Sequence, residues 1–125
     1  MNSPVAETIT LIKALMNGTG GISPAPVPVG AVFPYVTVGE VNVKEVESLA
    51  GVSGVSVLLV QIDVWDKSHE NAWALRKTIK DYLLAKRGQC GTQNLMWVGP
   101  NVDAALYDGN RSLHQMITRL QMWWA

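Results

Sequence analysis

The chain has 125 residues, of which 48% are hydrophobic and 16% charged, and its 10 basic and 10 acidic side chains give a formal net charge of zero. This length suits one domain with its own hydrophobic core, and so few charges exclude a wholly disordered chain. The balanced charge lacks the basic excess of an autonomous nucleic-acid-binding domain. A charge-poor surface favours an oligomer, because contacts between copies hide neutral and apolar groups from water.

Cysteine content and hydropathy bear on the compartment and on membranes. Cys90 is the only cysteine, so no internal disulfide can form and a reducing compartment is the simple interpretation. No apolar run approaches the ~20 residues that a membrane-spanning helix needs. Glu7 and Lys13 interrupt the apolar N-terminal stretch, which therefore does not predict a secretory signal.

The N-terminal part of the chain combines a helical pattern with an irregular one. Residues 4–16 predict a helix, because Pro4 suits the first helical turn and apolar residues recur at the helical period. Asn17 and Gly18 are typical of a helix end. Residues 18–31 contain alternating prolines, which favour an extended, edge-like segment over a central strand.

Two strands are predicted next. Residues 32–39 predict the first, and residues 55–65 predict the clearest strand, apolar at alternate positions on one face and partly polar on the other. Between them, residues 41–46 either continue the first strand or open a short helix. Gly51 and Gly54 are then expected to bracket a turn.

The main helix is predicted over residues 69–87. Asp66 or Ser68 can cap its start, and Gly88 is expected to stop it. Its predicted buried stripe follows the helical period: Ala72, Leu75, Ile79, Tyr82 and Leu83.

Short strands are expected in the remainder of the chain. Residues 95–98 predict a strand that ends at Gly99–Pro100, and residues 102–107 predict another that runs into a turn at 108–110. Residues 113–124 fit both a helical stripe and a half-buried strand, and periodicity alone slightly favours the helix.

Acidic residues gather between the clearest strand and the main helix. Asp63, Asp66, His69 and Glu70 carry carboxylate and imidazole ligands, so a metal site is one interpretation. Their spacing matches no ligand motif. A polar loop that caps the helix is the interpretation that the spacing favours.

Other chemistry-bearing residues lack a supporting context. Cys90 could pair as a nucleophile with His69 or His114, but it lies in an expected loop with nothing to activate its thiol. The glycines at 18–21 follow a helix and lack the lysine of a phosphate loop. The basic residues of the main helix favour a solvated face: Lys77, Lys80, Lys86 and Arg87.

Five tryptophans are many for so small a chain: Trp65, Trp73, Trp97, Trp123 and Trp124. Tryptophan is enriched both in cores and at interface hot spots. If the C-terminal segment is a strand, its two adjacent tryptophans point to opposite sides and one of them lies outside the core. That tryptophan either belongs to an interface or packs at the chain terminus.

The order of the segments resembles a known family. A helix and a proline-rich stretch precede Phe33-Pro34-Tyr35-Val36-Thr37-Val38-Gly39, and Gln61-Ile62-Asp63-Val64-Trp65 leads into an amphipathic helix. Over residues 5–124 the chain resembles the tail-completion proteins of long-tailed phages, also called tail terminator or head–tail joining proteins.

This resemblance implies one domain over residues 1–125 with an α+β fold, a two-layer arrangement in which a mixed, mainly antiparallel sheet packs against an N-terminal helix and one long central helix. It also implies a strand, and not a helix, over residues 111–124. The implied role is structural and needs no enzyme activity and no cofactor. Copies form a ring, commonly of six, that ends the tail tube and joins it to the head.

The partners implied are other copies of the chain, the tail tube protein and a head connector or head-completion protein, with no membrane and no sequence-specific nucleic acid. The implied location is the head–tail interface of the virion, after assembly in the host bacterial cytoplasm. Strand edges can add to a neighbour's sheet, which makes the 18–31 stretch and the C-terminal strand the expected docking elements. The candidate interface residues are Pro26, Pro28, Tyr35, Trp123 and Trp124.

Two alternatives stay open. The chain could be another neck component, such as a head-closure or minor tail protein. It could also be a small metal- or ligand-binding domain that uses the acidic junction.

Overall fold

The computed structural model describes residues 4–18, 20–27, 30–48, 51–90 and 93–125. Within them the chain forms two helices and six strands. In chain order these are α1 (Pro4–Met16), β1 (Gly21–Pro24), β2 (Tyr35–Ser48), β3 (Gly51–Asp66), α2 (His69–Leu84), β4 (Gly88–Cys90), β5 (Gln93–Asp108) and β6 (Leu113–Trp124).

All the described strands belong to one sheet with the order β1-β2-β3-β6-β5-β4. β1 and β2 run parallel, whereas every other neighbouring pair runs antiparallel. α1 packs on β1 and β2, and α2 packs on β3, β6 and β5. The predicted α+β class, with a mixed and mainly antiparallel sheet packed against two helices, is confirmed.

Both helices cover the same side of the sheet, here called the covered face. The predicted alternation of β3 is observed, since Leu58, Val60, Ile62 and Val64 are buried against the helices. Removing such side chains from water is worth about 1.5–3 kcal/mol each and supplies the main driving force for folding. The fully buried apolar helix residues are Ile12 from α1 and Ala72, Ile79 and Leu83 from α2.

The start of α2 follows from two side chains that the sequence singled out. Ser68 is the N-cap, and its hydroxyl accepts a hydrogen bond from the Asn71 amide at 3.2 Å. Asp66 in turn accepts from the Ser68 amide. The helix ends at Leu84 and not at residue 87. The residues after Leu84 lead to a turn at Gly88, where φ is 102° and β4 begins.

The β2–β3 hairpin is longer than the sequence predicted. β2 does not end at residue 39 but continues to Ser48, which pairs with Gly51. The predicted turn bracketed by Gly51 and Gly54 is wrong, since both glycines belong to β3. β3 pairs with β6 from Ser56 to Asp66. Its pairing with β2 continues toward the N-terminal end of β3, as far as Gly51.

The two short strands predicted at 95–98 and 102–107 are one strand, β5. Pro100 does not end it, because a register shift between Pro100 and Val102 accommodates a residue that has no amide proton. Cys90, expected in a loop, lies in the short strand β4, and its side chain is outside the described part of the structure.

The C-terminal segment is a strand, as the resemblance implied and against the slight helical preference of its periodicity. β6 lies between β3 and β5, with burial that alternates along most of its length. The turn expected at 108–110 leads into it. Neither described helix is long and apolar enough to cross a membrane.

Candidate interaction surface

The sheet side opposite the helices, here called the open face, carries a row of polar side chains across its two central strands, β3 and β6. Arg119 Nε donates to Gln61 Oε1 at 2.9 Å, and Gln61 Nε2 donates to Asp63 Oδ1 at 2.9 Å. Gln115 Nε2 donates to the other carboxylate oxygen of Asp63 at 3.3 Å. These bonds join β3 to β6 through side chains in addition to the backbone ladder.

Burial dominates the electrostatics of Asp63. Only 9% of the residue is exposed, and desolvation raises the pKa of its carboxyl above the usual 3.8. The hydrogen bonds from Gln61 and Gln115 and the charge of Arg119 oppose that rise without cancelling it. Both carboxylate oxygens of Asp63 accept hydrogen bonds within the chain, Oδ1 from Gln61 and Oδ2 from Gln115.

Beside this polar row, tryptophans form an apolar patch on the open face. The rings of Trp97 and Trp123 meet edge to face, with centroids 6.4 Å apart and planes at 86°. The Trp97 ring also lies over Gly99, where an added Cβ would overlap it. Trp97 keeps 44% of its surface exposed even so.

Most of the large exposed hydrophobic residues lie on one strand, β5. Among the described residues there are eight, and five of them lie on β5: Met96, Trp97, Val102, Leu106 and Tyr107. Two more, Val32 and Val41, lie just before β2 and within it. The eighth is Trp73, on α2.

The outer edge of β5 is largely free of a partner strand. β4 pairs with β5 only at Gln93, Asn94 and Leu95. From Met96 to Tyr107, here called the β5 edge, the described chain places β6 on one side of β5 and no strand on the other. An exposed apolar strand edge of this kind is a template for pairing with another chain.

The predicted interface residues occupy different environments. Pro26 is exposed just after the edge strand β1, in agreement with the edge-like segment expected there, and Pro28 lies outside the described residues. Tyr35 is buried, and its hydroxyl donates to Ser23 Oγ at 2.9 Å. Trp123 is half-buried on the open face, whereas Trp124 is 1% exposed and part of the core. Their contacts with other chains stay a prediction.

One docking element needs correction. The C-terminal strand was expected to offer an edge to a neighbour, but β6 pairs with β3 on one side and with β5 on the other. Its backbone is therefore not available for strand addition over most of its length. The sequence missed this because strand order is set by long-range pairing, which periodicity does not report.

The acidic junction is not brought together as a ligand cluster. Asp63 belongs to the open face, whereas Asp66 accepts a hydrogen bond at the start of α2 and lines a groove beside Met16. The His69 ring contacts the His114 ring edge to face, with centroids 5.3 Å apart. Across the described residues, no three His, Cys, Asp or Glu side chains are placed to hold a metal ion.

The basic residues of α2 and of the turn after it have partners within the chain. Lys77 pairs with Asp81 at 2.9 Å, and Lys80 pairs with Asp103 of β5 at 2.7 Å. Beyond the helix, the Lys86 ammonium lies over the Tyr82 ring, and Arg87 donates to backbone carbonyls. Lys77 is solvated, as its spacing predicted, whereas Lys80 ties the helix to the sheet.

Sequence reasoning also missed the β5 edge. Its signal was present, because Leu95, Met96, Trp97 and Val98 are apolar on both strand faces, which an ordinary half-buried strand does not need. Leu95 and Val98 are buried in the core, which leaves Met96 and Trp97 exposed.

Comparisons with known proteins identify a matching family and a solved structure of similar fold. A family model described as "Tail completion protein gp17" matches residues 8–125. A solved chain from the "virion of native gene transfer agent (GTA) particle" has a TM-score of 0.69 and 17% sequence identity, over 96% of this chain and 90% of that chain. At that identity the likeness shows a shared fold. No curated protein sequence matches the chain.

The fold and the family match together define a phage tail-completion protein, as the order of the segments predicted. Because the match spans nearly the whole chain, the chain belongs to the tail completion protein gp17 family.

Proposed function

We propose that this protein is a structural component of a phage-like virion, located where head and tail meet. Copies form a closed ring at the head-proximal end of the tail tube, stop tube polymerisation and present a surface to the head connector. The family match over residues 8–125 carries this proposal. The similarity to a chain from a gene transfer agent virion supports the assignment to a virion.

A ring needs a heterologous interface, in which two different surfaces of the same chain meet and the rotation between neighbours closes. The exposed apolar residues of β5 and β2 are candidates for these two surfaces. A formal net charge of zero keeps the repulsion between copies small. Six copies are the number that the resemblance implies, and the ring needs no cofactor and no catalytic residue.

Two axial surfaces of the ring would then differ, one for the tube and one for the connector. The candidate residues Pro26, Pro28, Tyr35, Trp123 and Trp124 remain part of this proposal. Of the four that are described, Pro26 and Trp123 need the least rearrangement to contact a partner, because Tyr35 and Trp124 are buried within the chain.

The test is a capping assay with purified tail tube protein. Tubes polymerised with the protein present should be shorter and should carry a ring at one end in electron micrographs. Tubes that grow to the same length with bare ends would overturn the terminator proposal. Binding to the head connector without any effect on tubes would instead identify another neck component.

A further inference from the structure

A cleft of about 240 Å³ lies between α2 and β5. Its walls carry one indole, three basic side chains and two carboxylates: Trp73, Arg76, Lys77, Lys80, Asp81 and Asp103. The basic side chains in this lining therefore exceed the acidic ones by one, which favours a negatively charged ligand over a cation.

Arg76 is held in this cleft by backbone carbonyls. Its Nη1 donates to the Ala104 carbonyl of β5 at 2.9 Å and, at the longer distance of 3.5 Å, to the Ile117 carbonyl of β6. Its Nε and Nη2 have no acceptor among the described residues. A guanidinium that is anchored through one nitrogen keeps the fork of the other two for a pair of parallel hydrogen bonds to a carboxylate.

The two lysines of the cleft already have acidic partners. Lys80 pairs with Asp103 Oδ2 at 2.7 Å, and Asp103 Oδ1 accepts a threonine hydroxyl at 2.6 Å, so neither oxygen bonds to Arg76. Lys77 pairs with Asp81 at 2.9 Å at the exposed rim of the cleft. Among the described residues of the lining, Arg76 is thus the cation that lacks a carboxylate partner.

Trp73 supplies the apolar wall. It is 45% exposed and lies one helical turn before Arg76 and Lys77 on α2. Tryptophan and arginine are the residue types most enriched at the hot spots of protein–protein interfaces. A nucleic acid fits this cleft less well, because one unpaired positive charge on a chain of zero net charge is far from the basic footprint that phosphate backbones need.

We propose that the cleft beside Trp73 and Arg76 binds an acidic segment of a partner protein. A glutamate or aspartate carboxylate of the partner accepts from the free guanidinium nitrogens of Arg76, and an apolar side chain next to it packs on the Trp73 indole. This contact is independent of ring closure and of tube termination, so it can hold or fail separately from the terminator role.

A capped Glu-Glu-Leu-Glu-Glu peptide is the probe, titrated into the isotope-labelled full chain while NMR records the tryptophan indole N–H and arginine Nε–H signals. The Trp73 and Arg76 signals should shift and saturate, whereas those of Trp97 and Trp124 should not. A Gln-Gln-Leu-Gln-Gln peptide should bind about tenfold more weakly or less, because it forms no charge-assisted bonds with the guanidinium. Equal binding of the two peptides would overturn the proposal.

Variants of the cleft should change the affinity for the glutamate peptide in both directions. Trp73→Ala and Arg76→Lys should each weaken binding about tenfold, the second because lysine keeps the charge and loses the planar fork. Asp81→Asn removes a carboxylate from the exposed rim and should tighten binding about two- to fivefold, a gain that a merely structural role of α2 would not produce. Lys67→Ala, exposed and outside the cleft, is the matched control and should bind like the parent.

The exposed positions of Trp73 and Asp81 keep the test valid if Arg76→Lys fails to fold. Unchanged affinity in Trp73→Ala, or no gain in Asp81→Asn, would overturn the proposal. The same titration with single-stranded oligothymidylate and with inorganic phosphate tests the other class of anion. If either moved the Trp73 and Arg76 signals at lower concentration than the glutamate peptide, the cleft would be a phosphate site and the proposal would be wrong.

Discussion

Trp97 and Trp123 lie edge to face across the β5–β6 pair, and the Trp97 ring lies directly over Gly99, two residues further along its own strand. The arrangement depends on the missing side chain at residue 99. It holds a large aromatic ring against the sheet on the face that the helices leave open.

Gly99→Ala should therefore destabilise the protein by about 1–3 kcal/mol, because the added methyl group overlaps the Trp97 ring and forces it off the sheet. Urea denaturation followed by tryptophan fluorescence measures the change. Gly109→Ala is the matched control, since its added Cβ would come no closer than 3.9 Å to Tyr107, and should change stability by about 0.5 kcal/mol or less. Equal losses in both variants would contradict the overlap.

Asp63 gives a prediction about pH. Its folded pKa is raised by burial, so the protonated carboxyl suits the folded state better than the ionised one. The folded protein then binds more protons than the unfolded chain between the usual value of 3.8 and the raised pKa. The stability that the protonated Asp63 carboxyl contributes is fully present below pH 3.8, and it is lost as the pH rises through the raised pKa.

The measurement compares the parent with Asp63→Asn, whose side chain does not titrate, in denaturation curves at several pH values. The stability of the parent relative to the variant should increase as the pH falls from neutral toward 3.8. A stability difference that is constant over this range would show that burial does not shift the carboxyl.

Asp103 should behave in the opposite way. Burial tends to raise its pKa, but hydrogen bonds from Lys80 and Thr118 and the positive charges of Lys80 and Arg76 outweigh this and hold the pKa below 3.8. Its contribution to stability is therefore present above 3.8 and lost as the pH falls through the lowered pKa. In denaturation curves at several pH values, the parent should lose stability relative to Asp103→Asn over that acid range. A gain in the relative stability of the parent there would contradict the lowered pKa of Asp103.

Local patterns predicted the parts of the fold that depend on local chemistry. Ser68 caps α2, Asn17 and Gly18 end α1 with positive φ, and the alternation in β3 identifies its buried face. The extent of β2 and β5 was not predictable in the same way. Strand length there is set by the partner across the ladder, and the bulge beside Pro100 lets β5 continue through a residue that usually ends a strand.

The same distinction between local pattern and long-range pairing applies to the residues of the candidate surface. The exposure of the proline at 26 follows from local pattern, since alternating prolines resist central pairing. Local pattern also predicts that one of the two adjacent C-terminal tryptophans lies outside the core, since adjacent strand residues point to opposite faces, but it does not say which one. The β5 edge does not follow from it, because only the strand order places β5 near the margin of the sheet. The burial of Trp124 likewise depends on its register opposite Leu95 and Ser56.

Trp124 provides the last prediction, which separates a core role from an interface role. It is 1% exposed, and its indole N–H is buried with no acceptor among the described residues. Trp124→Ala should cost about 3–5 kcal/mol of folding stability in the isolated chain. Trp124→Phe should cost much less, since it keeps most of the apolar volume and removes the unsatisfied donor. Trp73→Ala, at a 45% exposed position on α2, is the control and should have little effect. If Trp124→Ala left the stability of the chain unchanged and impaired only ring assembly, the tryptophan would belong to the interface and not to the core.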